Sequence, residues 1–260
     1  MRPGQSFQTK EAAEYYKYRP EYPGGLFQKL YDLSPRHGRA LDLGCGNGKV
    51  AREIASVFDW VTAVDVSAAM LKVARELQGT STQNIRWVCQ NAEEIDGSDG
   101  PYDLIVAAAS IHWMDHEVLF PRLLNHVAVD HVFAVVDGDG AHQPPWQHDW
   151  DSFLTKWIYD LTGEHYEPDR DDSSYALRMT RHNEWLDIEN EFHFEHDVVQ
   201  SIDEFVGCQL SRDTFAPARL GERVSEFTEE LRQILFKHAD GSGMLKYRVV
   251  TAVETGKIRR

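Results

Sequence analysis

Cysteine is scarce in this chain. Its 260 residues hold three, Cys45, Cys89 and Cys208, scattered and never in a CxxC pair. That argues against a disulfide framework and a thiolate zinc site, and it suits a reducing compartment. Long apolar runs are missing too, so no segment reaches the roughly 20 residues a membrane span needs. The opening stretch MRPGQSFQTKEAAEYYKYRPEYP lacks the apolar core of a signal peptide. These absences predict a cytoplasmic protein. Positive charge is in deficit: 27 Lys and Arg stand against 42 Asp and Glu, a formal net charge of −15. Such a surface repels phosphates and anionic lipids, so neither nucleic acid nor membrane is an expected partner. Repeats and low-complexity tracts are absent, and nothing in the composition specifies an oligomeric state.

What is present is alternation. RALDL (39–43), WVTAVDVS (60–67), NIRWVCQNA (84–92), YDLIVAAAS (102–110) and HVFAVVDG (131–138) read as strands. The fourth is almost continuously apolar, as a parallel strand buried on both faces must be. Between them lie helical spacings, including AAMLKVARELQ after a capping Ser67. Strands alternating with helices build βαβ units and an α/β fold with a doubly wound, mostly parallel sheet. After DGDG the pattern changes. Residues 141–190 carry no strand-like run and are rich in Trp, His and charge, which reads as a helical insertion. The strand pattern returns in EFHFEHDVV (191–199), followed by a helix-like SEFTEELRQILFKH and a final strand, MLKYRVVTAVET, suggesting an antiparallel edge pair. The expected organisation is a core over 1–140, a lid over 141–190 and a segment over 191–260 that completes the sheet.

One segment bears chemistry, RALDLGCGNGKVAREIA (39–55). A strand, a glycine turn and a helix converge exposed backbone N–H groups and the positive end of a helix on one point. In dinucleotide sites an acid about 20 positions on holds the ribose, and Asp65 lies 21 positions after Gly44. Two details argue against a pyrophosphate. The spacing is GxGxG, not GxGxxG, and Asp42 stands just before the turn. A carboxylate repels a pyrophosphate and favours a cationic ligand; S-adenosylmethionine has an ammonium group, a ribose and an adenine.

With these residues the chain resembles the class I S-adenosylmethionine (SAM)-dependent methyltransferases, in particular the small-molecule branch of the trans-aconitate methyltransferases. YRPEYP (18–23), ALDLGCGNG (40–48), AVDVSAAML (63–71), QNAEEI (90–95) and YDLIVAAASIHWMD (102–115) carry the likeness, in the family's order, over about the first half of the chain. It implies a seven-stranded Rossmann-like sheet with an antiparallel last strand and a helical lid. It implies SAM as cofactor, with Asp42, Gly44 and Gly46 around the methionine portion and Asp65 on the ribose hydroxyls. Val66 and Met70 would pack on the adenine, Asn91 and Ala92 would meet its edge, and Ala108 would lie along the cofactor. Asn91 departs from the Asp often found there, which alters the donor pattern at the adenine amine. Tyr18 and Arg19 would belong to an N-terminal arm closing over the cofactor, Arg19 reaching the methionine carboxylate.

SIHWMDH (110–116) follows the fourth strand at the edge where parallel sheets bind ligands. His112 and Trp113 are therefore expected to face the substrate, His112 as a general base or as a hydrogen-bonding wall. His112 and His116 are four apart, but no third ligand is evident and no metal is expected. Trp146, Trp150 and Trp157 share a helical stripe, either the lid's own packing or a substrate wall, with Trp146 the candidate contact. Arg170, Arg178, Arg181 and Arg212 are either partners for an anionic substrate or, as isolated arginines usually are, surface salt-bridge formers, and the sequence singles out none of them. The reading that follows is a methyltransferase acting on a small-molecule acceptor at oxygen, a carboxylate or a hydroxyl. An NAD(P)-dependent oxidoreductase and a non-catalytic SAM-binding protein are the alternatives, and a macromolecular acceptor is disfavoured by the charge.

Overall fold

The computed structural model describes residues 4–79, 82–166 and 179–260. They form two compact units. One comprises residues 21–138, 177–194 and 251–260; the other comprises 1–20, 139–176 and 195–250.

The first unit is the α/β layer structure that the alternation predicts. Its parallel strands are β1 (Arg39–Leu43), β2 (Trp60–Asp65), β3 (Ile85–Cys89), β4 (Tyr102–Ala108) and β5 (Val127–Asp137), in the order β3-β2-β1-β4-β5. β1 is flanked by β2 on one side and β4 on the other, so the chain direction of travel reverses there. That reversal opens a crevice at the carboxyl ends of β1 and β4. Alternate residues feed two cores. Ala40, Val61, Ala63, Leu104 and Val106 face Leu26, Leu30 and Ile54. Leu41, Leu43, Val64, Ile105 and Ala107 face Ile111, Leu119, Phe120 and Leu123. Both faces being covered is why these strands read as apolar runs. The helix Ala68–Gln78 begins where expected, the Ser67 hydroxyl accepting from the Met70 N–H at 3.2 Å.

Three further strands are β6 (Ala141–His142), β7 (Leu186–Ser201) and β8 (Met244–Ile258). β8 pairs antiparallel with β5 through residues 252–256 and with β6 through residues 248–249, and β7 also pairs with β8. The antiparallel last strand is thus as expected. The described residues hold eight strands against seven expected, the extra one being the two-residue β6. β7 also starts earlier than expected, at Leu186.

The second unit departs from the expected division. Residues 1–20 group with 139–176 and 195–250; they are not an appendage of the sheet unit. The cause is a shared aromatic core. Trp146, Phe153 and Trp157 pack with Phe205, Phe215, Phe227, Leu231, Leu235 and Tyr247, and Tyr15 of the N-terminal segment joins them. Trp146, the N-cap of the helix Gln147–Thr162, and Trp157 within it are therefore buried against residues 202–247 of their own unit, with Trp150 partly buried beside Phe205.

Candidate functional site

The glycine turn leaves β1 and leans over the end of β2. The N–H groups of Gly44 and Cys45 both donate to the Val64 carbonyl, at 2.8 and 3.0 Å. Gly44 is left-handed at φ +67°, and a Cβ there would stand 2.6 Å from Ser110 Cβ, so conformation and space both demand glycine. The Gly46 N–H donates to Asp65 Oδ2 at 2.8 Å. The Ser67 N–H donates to Asp65 Oδ1 at 2.7 Å. Asp65 therefore ties the turn after β1 to the start of the helix after β2. A carboxylate offers about four lone-pair sites, so these two bonds leave acceptor capacity for a ligand hydroxyl. Burial raises the Asp65 pKa, opposed by the two N–H donors.

Asp42 is more deeply placed than its motif suggests. It is 1% exposed, and its Oδ2 accepts from the Ala51 N–H at 2.9 Å. Burial, with the neighbouring Asp65 charge, raises its pKa to about 7, against the opposing pull of Ala51 N–H and Arg52. Asp42 is thus buried beside the turn, and its carboxylate holds the first turn of the helix Lys49–Ile54 through the Ala51 N–H.

At the end of β4, Ala108 is half-buried and Ala109 adopts φ +50°, a left-handed conformation uncommon for a residue with a Cβ and often found at functional sites. Ser110 Oγ donates to the Leu43 carbonyl at 2.6 Å, latching the β4 loop to the glycine turn. The 3-10 turn Ile111–Trp113 follows, with the His112 and Trp113 rings 4.6 Å apart, both half-buried. Beyond β3, Asn91 is exposed, its amide donating to Glu94 Oε1 at 3.1 Å, and Ala92 is buried. Glu93 Oε1 accepts from the Asp115 N–H at 2.6 Å. After β2, Val66 is 46% exposed and Met70 is buried.

Asp42, Gly44, Gly46, Asp65, Val66, Met70, Asn91, Ala92, Ala108, His112 and Trp113 thus share one unit and the carboxyl ends of β1, β2, β3 and β4. Tyr18, Arg19 and Trp146 belong to the other unit. Arg19 is buried, its Nε and Nη2 bonded to Ser211 Oγ and O and its Nη1 to Asp139. That corrects its expected role on a carboxylate ligand: the guanidinium serves an internal network. The Tyr18 ring lies on Gly207 so closely that a Cβ there would come within 2.5 Å of it, and the Tyr18 carbonyl accepts from Gln200. Trp146, 1% exposed and edge-on to Phe205 and Tyr247, is a packing residue and not a substrate contact. Arg212 pairs with Asp139, Arg181 is exposed, and Arg170 and Arg178 lie outside the described residues. Among the described residues no group of three His, Cys, Asp or Glu side chains is arranged to hold a metal ion.

Sequence reasoning missed Ser110, Glu93 and the depth of Asp42. A small polar residue directly after a buried strand was the available signal for Ser110.

Residues 40–129 match the methyltransferase domain family. Over 130 residues the chain is 34% identical to trans-aconitate 2-methyltransferase of Deinococcus radiodurans, covering 49% of this chain and 45% of that protein. Over 126 residues it is 32% identical to malonyl-[acyl-carrier protein] O-methyltransferase of Legionella pneumophila, covering 46% and 43%. The chain spans less than half the length of the curated relatives it matches. A solved structure from Anaeromyxobacter dehalogenans superposes with a TM-score of 0.67 at 23% identity over 92% of this chain and 97% of that one. A SAM-dependent methyltransferase from Thiobacillus denitrificans, solved with S-adenosyl-L-homocysteine, superposes with a TM-score of 0.52 at 12% identity over the full length of both. The likeness read from the motifs holds as similarity: residues 40–129 match the methyltransferase domain family, and the sheet that carries them has the fold of these solved structures. No helix among the described residues is long and apolar enough to cross a membrane.

Proposed function

We propose that this chain is a SAM-dependent methyltransferase transferring a methyl group to a small-molecule acceptor, at a carboxylate or hydroxyl oxygen. The observation that carries the reading is the bridge from Gly46 N–H to Asp65. It presets a glycine turn and an acid with spare acceptor capacity at the crevice between β1 and β4. A ligand with a ribose and a cationic amino-acid tail fits that donor set: the ribose hydroxyls on Asp65, the methionine portion along Gly44–Gly46 above the buried Asp42, the adenine near Val66, Met70, Asn91 and Ala92. Ala108 would flank the cofactor's reactive end. The oxygen preference rests on similarity to an O-methyltransferase.

When bound, the cofactor supplies an electrophilic methyl on a sulfonium whose departure as a neutral thioether needs no acid. The protein's part is alignment and exclusion of water. His112 and Trp113, on a turn latched to the glycine loop through Ser110, would line the acceptor side. For a hydroxyl acceptor, an imidazole nitrogen of His112 would take the proton as the new bond forms. For a carboxylate acceptor no base is required, and His112 would orient the oxygen.

The test is calorimetric titration with SAM, S-adenosylhomocysteine, NAD and NADP, followed by a screen of small acids and phenols. Binding of the two adenosyl compounds alone, with methyl transfer to a screened acceptor, is the expected result. Binding of a nicotinamide dinucleotide instead would replace this reading with hydride transfer.

A further inference from the structure

His116 lies four residues after His112, at the start of the helix His116–Leu123 that follows the 3-10 turn, and in a different environment. Its ring is 1% exposed. It stands edge-on to Phe120, with centroids 5.4 Å apart and planes at 77°. Phe120 in turn stacks on Trp185 at 5.7 Å with planes 7° apart. The ring is therefore held on both its own helix and the wall behind it. Its Nε2 is 2.9 Å from the Ile111 carbonyl. A carbonyl only accepts, so Nε2 carries the proton and donates.

That carbonyl is the one that closes the turn. Ile111 O already accepts from the Met114 N–H at 3.1 Å, the bond at the C-terminal end of the 3-10 turn bearing His112 and Trp113. With the Trp113 N–H bond to the Ser110 carbonyl at 3.0 Å the turn has two such bonds, still a short element that is weak by itself. The imidazole adds a second, buried donor to the same oxygen. The helix His116–Leu123 that carries it is anchored separately. Its cap Asp115 accepts from the Glu117 N–H at 3.1 Å, and the Asp115 N–H reaches Glu93 at 2.6 Å. Burial lowers the His116 pKa, opposed by the hydrogen bond to the Ile111 carbonyl and assisted by the nearby Arg181 and His182 charges. A neutral, immobile donor costs less to bury than a charged one.

We propose that His116 is a positioning residue, clamping the Ile111 carbonyl through Nε2–H so that the Ile111–Trp113 turn presents His112 and Trp113 to the methyl acceptor. The acceptor-facing role of that pair rests on the function proposed above; the clamp itself does not.

The experiment is side-chain nitrogen NMR on histidine-labelled protein, for the wild type, His116→Phe and His116→Gln, with S-adenosylhomocysteine affinity and thermal unfolding measured on the same samples. Phe keeps an aromatic ring against Phe120 and removes the donor; the Gln amide restores one. In the wild type, His116 should appear as the neutral Nε2–H tautomer and should not titrate with the exposed histidines. His116→Phe should shift the His112 ring signals and its titration midpoint while cofactor-product affinity is unchanged, and His116→Gln should return the His112 signals toward wild type. Unchanged His112 signals in His116→Phe overturn the proposal, as do shifted signals that Gln does not restore. If the Phe variant does not fold, the Gln variant decides alone, wild-type-like His112 signals supporting the clamp and altered ones overturning it. Failure of both variants to fold makes His116 a fold residue and also overturns it. A wild type that binds no S-adenosylhomocysteine sinks the proposed function and leaves the His112 readout valid.

Discussion

The backbone N–H of Gly46 donates to Asp65 Oδ2 at 2.8 Å, across 19 residues of sequence. The same carboxylate accepts from Ser67 N–H, so one acid sets both the glycine turn and the next helix start.

Asp65→Ala should therefore fail in two ways. It removes the acceptor for the ribose, about 1.5–3 kcal/mol for hydrogen bonds to a charged group, and it releases the turn that receives the methionine portion. Asp65→Asn keeps one acceptor oxygen and should lose less. Calorimetry with S-adenosylhomocysteine measures both; equal affinity in wild type and the Ala variant would remove Asp65 from the ligand site.

If the proposed cofactor seats at the glycine turn, Asp42 should make its affinity depend on pH. Its carboxyl is raised from 3.8 to about 7 in the folded protein. The folded state thus binds the proton more tightly than the unfolded state, and this group's stabilising proton is lost as pH rises through about 7. A cationic ligand near the turn lowers that pKa, so ligand binding expels the proton. Affinity for SAM should rise with pH up to about 7 and then level. Titrations near pH 6 in buffers of different ionisation enthalpy should show proton release, absent in Asp42→Asn. The same heat in all buffers would refute the linkage.

Gly44→Ala should destabilise the fold by at least the roughly 1–2 kcal/mol that a left-handed residue with a Cβ costs, and more because of the contact with Ser110 at 2.6 Å. Adding Ser110→Gly should recover the steric part, measured against the Ser110→Gly single variant because that change also removes the hydroxyl bond to the Leu43 carbonyl, and leave the conformational part. Denaturant unfolding of the single and double variants separates the two; full recovery would mean the backbone had relaxed out of the left-handed region.

Trp146→Ala should cost roughly 3–5 kcal/mol, as large-to-small changes in aromatic cores do. The loss should appear in chemical denaturation, with KM for an identified acceptor unchanged in the folded enzyme. A raised KM without lost stability would return Trp146 to the substrate wall.

The order strand, glycine turn, helix, strand, acid was legible because its determinants are local. Apolar runs, turn glycines and a capping Ser67 lie within about one βαβ unit, and Gly46 and Asp65 meet inside it. The same locality explains why Asn91, Ala92, Ala108, His112 and Trp113 could be assigned to one edge: parallel strands end together. Depth was not legible. Asp42 and His116 are ordinary polar letters in their motifs, and only the helices packed over β1 and behind the Ile111–Trp113 turn bury them. Nor was the grouping of the chain. Arg19 meets Ser211 across 192 residues and Ser6 meets Asp213 across 207, and no local pattern encodes partners so far apart. The tryptophan stripe shows both sides of the matter: its spacing in sequence marks one buried helix face, but which surface covers that face depends on the fold of residues 202–247. Local propensity and periodicity determined the elements and the motif; long-range burial decided which of its side chains are presented and which are spent on holding the site in shape.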